Sequence, residues 1–371
     1  MNICIVNCFD TYEHRVDLLC DTFKELGHNV LILSSDFRHF EKCKRLEKKE
    51  GFIFFKTLPY VKNLSINRMK SHVEFSKDIS KYIEQNINSF DLIWALIPPN
   101  SLVKDLSKIK KKYSNVKLIY DLIDLWPETM PININKNIFP FSYWKKIRDK
   151  HIKYADSIVT ECNLYQNILQ DVLKEKKVHT LYLARPLYEY QPNLHLPDDK
   201  ISLCYLGSIN NIIDIDVIVD IIKQINIIKP VEFHIIGDGE RREELIDKSK
   251  TSGVEVIYHG KVYDRKEKQY ILDGCHYGLN IMKTSVCVGL TMKSMDYFEF
   301  GLPIINNISG DTWNIVDNRL CGINVDNKMI NFDYKYSDDM RYNLRNFFEE
   351  FLTEKVFRKN VFKYINELEN K

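Results

Sequence analysis

Residues Gly289 to Asn306 read GLTMKSMDYFEFGLPIIN. Gly289 to Met292 has the composition of a turn, and Lys293 to Phe300 that of one short helix. Gly301 is placed as the helix stop, in the left-handed conformation that glycine adopts cheaply. Leu302 and Pro303 then lead into a buried apolar strand, Ile304-Ile305. A turn followed by a helix N-terminus presents backbone N–H groups to an anion. The helix dipole favours negative charge there, and Lys293 adds a full positive charge. Asp296 and Glu299 lie three apart and share a helix face. A carboxylate one turn beyond a phosphate site reaches the two hydroxyls of a ribose. The same spacing also fits an amphipathic helix whose charges are solvated.

The surrounding chain bounds what this stretch belongs to. A length of 371 residues suits two domains of ordinary size. With 44% hydrophobic and 28% charged residues the composition is that of a soluble globular protein. A formal net charge of +2 gives no electrostatic reason to bind nucleic acid. Nine cysteines are scattered singly, none in a CxxC pair. That pattern favours a reduced, cytoplasmic setting over a disulfide framework and gives no zinc motif. The first residues, MNICIVNCFD, form an apolar strand without the basic region of a signal peptide, and no apolar run approaches a membrane span.

Strand and helix patterns alternate twice along the chain, and each block predicts a parallel sheet. The first block opens with a strand over Asn2–Cys8. A polar loop from Phe9 to His14 and a helix carrying Val16, Leu19, Cys20, Phe23 and Leu26 follow. The loop is too poor in glycine for a dinucleotide fingerprint. Further strands are read at Phe52–Lys56, Asp91–Leu96 and Leu118–Tyr120, with helices at Asn67–Gln85, Leu102–Lys112 and Leu164–Leu173. The strand at Leu118 runs into Asp121-Leu122-Ile123-Asp124-Leu125-Trp126-Pro127-Glu128. Two carboxylates at a strand end are costly to bury without purpose. Asp124 is either functional or a turn cap, and Trp126 either packs a ligand or sits in the core. Aromatics from Ile138 to Trp144 precede a basic run, Lys145 to Lys153. That is the profile of an interfacial membrane contact, and equally of a solvated helix with an aromatic staple.

Arg185 to Pro197 carries three prolines and no period, as a linker would. The second block begins near Ile201. Gly207-Ser208-Ile209-Asn210 follows a strand, where glycine lets the backbone approach a phosphate. Gly237-Asp238-Gly239 follows the next strand, and GDGERR lacks the third glycine of an NAD fingerprint. The division expected is 1–185, a linker over 186–200, a second domain over 201–345, and a final helical segment over 346–371.

The opening stretch resembles the nucleotide-binding segment of GT-B glycosyltransferases, in particular family-four-like bacterial enzymes of capsule and O-antigen synthesis. Their pattern of Ser/Thr-x-Lys-x-x-Glu/Asp-Tyr and Gly-x-Pro appears as Thr291-Met292-Lys293-Ser294-Met295-Asp296-Tyr297 and Gly301-Leu302-Pro303. The Asp124 to Pro127 segment is similar to an Asp-x-Trp-Pro segment of the same group. The resemblance implies an α/β GT-B fold, two Rossmann-like parallel-sheet domains facing a central cleft, with the last helix crossing back onto the first domain. It implies a metal-independent, retaining hexosyltransferase with no cofactor, using a nucleotide sugar, UDP-sugar favoured. Thr291 and Lys293 would face the diphosphate and Asp296 the ribose. Gly207, Ser208, Asn210, Gly237, Asp238, Gly239, Lys283 and Gly289 would complete the donor site. Tyr12, His14, Arg15, Trp126 and Glu128 would face a saccharide or polyprenyl-linked acceptor at the inner membrane face. Asp124 would lie by the donor sugar or the incoming hydroxyl, and an inverting enzyme would use Asp124 or His14 as base. The chain departs from the pattern in two places. Val288 stands where the first of a glutamate pair is usual, and the Gly207 loop lacks the usual arginine and lysine. Nucleotide-sugar 2-epimerases share the fold, as do silent partner subunits.

Overall fold

The computed structural model describes residues 1–132, 134–326 and 336–369. The chain forms two compact units, Met1–Arg185 with Glu354–Lys371, and Pro186–Thr353. The segment read as a linker, 186–200, therefore counts with the second unit, and the chain returns to the first at Glu354 rather than at 346.

The first unit is built from β1 (Asn2–Asn7), α1 (Glu13–Glu25), β2 (Asn29–Ser35), a short ribbon of β3 (Phe37–Arg38) and β4 (Cys43–Lys44), and β5 (Phe52–Phe55). It continues through α2 (Ile66–Gln85), β6 (Leu92–Ile97), α3 (Asn100–Lys112), β7 (Lys117–Leu122), α4 (Phe141–His151) and β8 (Ser157–Thr160). Two short helices, α5 (Asn163–Ile168) and α6 (Gln170–Leu173), replace the single helix expected over 164–173, and β9 (Val178–Thr180) closes the series. The sheet order is β5-β2-β1-β6-β7-β8-β9, with every pairing parallel. Such a sheet is covered on both faces, so its central strands are mostly apolar, Ile3 to Val6 of β1 and all of β6 among them. Cys4 and Val6 of β1 pack with Phe75 and Ile79 of α2 and Leu102 and Leu106 of α3. Ile3 and Ile5 face the other way, onto Val16, Leu19 and Phe23 of α1.

The second unit repeats the scheme with β10 (Ile201–Leu206), α7 (Ile215–Ile228), β11 (Val231–Ile236), α8 (Arg242–Thr251), β12 (Glu255–Gly260) and α9 (Arg265–Asp273). Then come β13 (Tyr277–Asn280), α10 (Met292–Glu299), β14 (Ile304–Asn306), α11 (Asp311–Arg319), β15 (Gly322–Asn324) and α12 (Asp338–Phe351). The sheet order is β12-β11-β10-β13-β14-β15, again all parallel. Asp214 caps α7, its carboxylate accepting from Val217 N, which gives that acidic helix start a structural role. The last helix, α13 (Glu354–Glu369), belongs to the first unit, where Phe357, Val361 and Ile365 join the core formed by Ile5, Leu19 and Phe23.

Strand order reverses once in each sheet, with β2 and β6 on opposite sides of β1, and β11 and β13 on opposite sides of β10. In open parallel sheets ligands bind beyond the strand C-termini at such a switch. In the second unit that point falls between Gly207, after β10, and the residues after β13 that lead to Lys283. Among the described residues no helix is long and apolar enough to cross a membrane.

Candidate functional site

Helix α10 begins one residue earlier than its sequence suggests, because Thr291 caps it: the Thr291 hydroxyl oxygen accepts from Ser294 N at 2.9 Å. Its far end closes as expected. Gly301 has φ +62°, Leu302 N donates to Tyr297 O at 2.9 Å and Gly301 N to Phe298 O at 3.2 Å. This pair of bonds is the Schellman stop. The helix is tied to the sheet from within. The Tyr297 hydroxyl accepts from Leu206 N at 2.9 Å, at the end of β10. Asn280 Nδ2 donates to Ser294 Oγ at 3.1 Å and to Asn306 Oδ1 at 2.8 Å. Asn306 Nδ2 in turn donates to Asn324 Oδ1 at 2.8 Å. A ladder of three asparagines thus runs across β13, β14 and β15 to the cap of α10.

That anchoring fixes Lys293. Its side chain is buried, its ammonium lies 4.0 Å from the centre of the Tyr205 ring, and it has no hydrogen-bond partner. Burial lowers its pKa to about 7. Lys293 passes directly over Gly207, where a Cβ would sit 3.5 Å from Lys293 Cε. Behind Gly207 lies Gly237, at φ +138°, so close that a Cβ there would come within 1.9 Å of Gly207 O. Only glycine fits, so the two strand-to-helix turns pack back to back under the lysine. Gly239 packs equally closely on Ile209.

Other expected donor residues shape the same region. Ser208 is exposed, with its carbonyl held by the Tyr205 hydroxyl at 2.8 Å. Asn210 Oδ1 accepts from Ile212 N. The backbone N–H of Lys283 donates to Ile212 O at 3.0 Å, joining the loop after β13 to the Gly207 loop. Gly289 O accepts from both the amide and the hydroxyl of Thr312, which pins the turn before α10. Asp296 is half-buried on α10. Its supposed companion Glu299 is buried instead and pairs with Arg265, so the two do not form one solvated face. Asp238 accepts from Gly239 N at 2.8 Å and lies by Arg242 and Lys261. Its carboxylate is engaged by the turn itself.

In the first unit Asp124 follows β7. Its carboxylate accepts from Trp126 Nε1 at 2.7 Å and from the Thr129 hydroxyl. Burial raises its pKa, and those hydrogen bonds oppose the rise. Tyr12 is close enough that the Asp124 carboxylate helps push its phenol pKa up, after burial, the main cause. Trp126 stacks on Arg68, whose guanidinium carbon lies 4.4 Å from the ring centre. Tyr12, Asp124 and Trp126 are therefore brought together. Two other acceptor candidates are not available. Arg15 is buried in a two-bond pair with the fully buried Asp121, at 2.9 and 2.8 Å, and donates to Leu181 O. Glu128 is clasped by Arg148 through two bonds of 2.8 Å. Both carry charge that the fold itself neutralises. His14 is exposed, bonded to Ala184 O at 3.2 Å and beside Glu354.

Sequence reasoning missed a cavity of about 350 Å³ beside Trp126. Arg68, Met69, His72 and Val73 of α2, Asn100 of α3, and Tyr143 and Trp144 of α4 are among its walls. Trp126 and the aromatics around the start of α4 were read, but Arg68 and His72, one turn apart on α2, were not.

Residues 200–331 match the family model described as Glycosyl transferases group 1. No curated protein matches the chain. Solved structures match it over nearly its whole length. Sucrose-phosphate synthase from Thermosynechococcus elongatus aligns at TM-score 0.69 and 12% identity, covering 99% of each chain. Anabaena HepE in complex with UDP aligns at 0.67 and 11%, covering 99% of this chain and 100% of that one. The lipopolysaccharide outer core galactosyltransferase WaaB aligns at 0.67 and 15%, covering 99% of each. The fold is GT-B, with two Rossmann-like parallel-sheet units.

Proposed function

We propose that this protein is a glycosyltransferase that moves a hexose from a nucleotide sugar, UDP-sugar favoured, to a saccharide or lipid-linked saccharide in surface polysaccharide synthesis. The observation that carries the reading is the buried, unpartnered Lys293 ammonium above the Gly207 turn, within the segment that matches a glycosyltransferase family. A diphosphate gives that cation a partner. Lys293 stands over the Gly207 loop and so supplies the charge that the loop itself lacks. As the glycosidic bond breaks, negative charge grows on the leaving diphosphate, and Lys293 with the N-terminus of α10 stabilises it. Asp296 takes the ribose.

Transfer proceeds without a metal and with retention of configuration. Asp124, whose carboxylate accepts from Trp126 and Thr129, lies by the incoming hydroxyl. The acceptor lies against Tyr12 and Trp126. Ile138, Phe139 and Tyr143 are exposed beside the basic face of α4 and give the protein a peripheral contact with the inner face of the membrane.

The test is release of nucleotide from UDP-, GDP- and ADP-hexoses, since many transferases hydrolyse their donor slowly when no acceptor is present. The expected result is release from one nucleotide class, lost in Lys293→Ala. Release of an epimerised nucleotide sugar, or no turnover of any donor with or without added saccharide, would overturn the reading.

A further inference from the structure

We propose that the cavity of the first unit binds an anionic sugar unit of the acceptor, a ring carrying a carboxylate or a phosphate. Arg68 would hold the anion and Asn100 a ring hydroxyl. The inference rests on the transferase reading for the word acceptor, but its evidence is independent of the donor site.

The first observation is a cation without a counterion. The Arg68 guanidinium is packed among aromatic rings, 4.4 Å from the centre of Trp126, 5.4 Å from Phe9 and 5.6 Å from Tyr60. One nitrogen donates to Asn63 O at 2.7 Å, and Nε is buried with no partner. Among the described residues it forms no ion pair, and burial lowers its pKa, while Tyr60, which it contacts, and Asp124 oppose the fall. Its neighbours respond to its charge. Lys42 and His39 both have lowered pKa values, with burial the first cause and Arg68 the second. A desolvated guanidinium with open donors is a site for a carboxylate or phosphate, whose oxygens match its geometry.

The second observation is a pair of buried, unpartnered polar atoms on two residues of the cavity wall. Asn100 is 6% exposed and lines the cavity. Its Nδ2 donates to Trp126 O at 2.9 Å and Trp144 O at 3.1 Å, so the amide orientation is fixed. Oδ1 is left as a buried acceptor with no partner. It requires a donor, and an anion alone has none; a hydroxyl does. His72 is 8% exposed, also lines the cavity, and has Nε2 buried without a partner. Burial and the nearby Arg68 keep its ring neutral.

The walls complete the description. Trp126, Tyr143, Trp144 and Met69 offer flat apolar surface, against which the C–H face of a pyranose packs by dispersion. A hydrocarbon chain would fill the walls but strand Asn100 Oδ1 and His72 Nε2. Inorganic phosphate would satisfy Arg68 alone. A volume of about 350 Å³ suits a small ligand.

The experiment uses the intact protein and its tryptophan fluorescence, since Trp126 and Trp144 both line the cavity. Methyl glucuronide, glucose 6-phosphate, methyl glucoside and farnesyl phosphate are titrated separately, and UDP is titrated into the same samples. The expected result is that at least one acidic sugar binds at least about tenfold more tightly than methyl glucoside, as one charge-assisted contact of about this strength provides. Arg68→Gln should abolish that preference, Arg68→Lys should restore part of it, and both should keep the wild-type melting profile. Which acidic sugar binds identifies the anion. Equal binding of acidic and neutral sugars, an unchanged preference in Arg68→Gln, or binding of farnesyl phosphate with no sugar would each overturn the proposal. If UDP binds and no sugar does, this proposal fails and the transferase reading stands. If acidic sugars bind and UDP does not, the sugar site stands and the transferase reading fails.

Discussion

Lys293 is a buried ammonium without a partner, and the proposed donor site of the second unit rests on it. Its folded pKa of about 7 lies far below the value of a free lysine, near 10.4. Because the folded value is the lower one, the unfolded chain binds more protons between those two limits. The burden of burying the charged form is therefore full below pH 7 and is relieved as pH rises toward the free value. A bound diphosphate reverses the balance by favouring the charged form. Nucleotide affinity should thus fall toward tenfold per pH unit above pH 7, with proton uptake on binding, and weaken again below about pH 6 as the terminal phosphate gains a proton. Calorimetry in two buffers of different ionisation heat checks this. At the same scale, the position of Lys293 at a helix start was legible in sequence, but the fate of other charges was not. Arg15 and Asp121 are 106 residues apart in the chain, and nothing local announces that they neutralise each other.

Helix α10 was legible as an element because its stop, Gly301, is local, whereas the Thr291 cap that starts it one residue earlier was not read from the sequence. The parallel strands were legible for a similar reason, since burial on two faces leaves an unbroken apolar run. The first-unit cavity was not, because α2, α3 and α4 contribute to it jointly and only tertiary packing brings Arg68 and Asn100 together. The asparagine ladder is equally tertiary. Asn280 and Asn306 are fully buried, one on each of two adjacent strands. Asn306→Leu would leave Asn280 Nδ2 with its bond to Ser294 alone and would strand the buried Ile308 N and O, which bond to the Asn306 amide. Each buried group left unpaired costs about 1–3 kcal/mol, so a loss of roughly 2–5 kcal/mol in urea unfolding is expected. Nucleotide affinity should also weaken, since the ladder holds Ser294 and the cap of α10. An unchanged urea midpoint would show that the ladder does not tie the helix down.

At the scale of the whole molecule, the chain builds one sheet unit, then a second, and returns to the first with α13. Phe357, Val361 and Ile365 are buried in the first unit, and the Tyr364 hydroxyl donates to Thr180 O at 2.7 Å. Burying each large apolar side chain contributes about 1.5–3 kcal/mol, against a total stability of about 5–15 kcal/mol for a domain. A chain ending at Thr353 should therefore lose the protease resistance of its first unit while the second unit survives. Equal resistance of both units to trypsin would contradict this.

In the proposed donor site the second unit holds a nucleoside diphosphate through Lys293. Calorimetric titration of UDP, GDP and ADP at pH 7, into the wild type and Lys293→Ala, tests it most directly. Saturable binding of one nucleotide, UDP first, is expected. Affinity should be about ten- to a hundredfold weaker in the variant, as for losing a hydrogen bond to a charged group of ~1.5–3 kcal/mol. Absence of binding by all three nucleotides, or equal affinity in the two proteins, would contradict it.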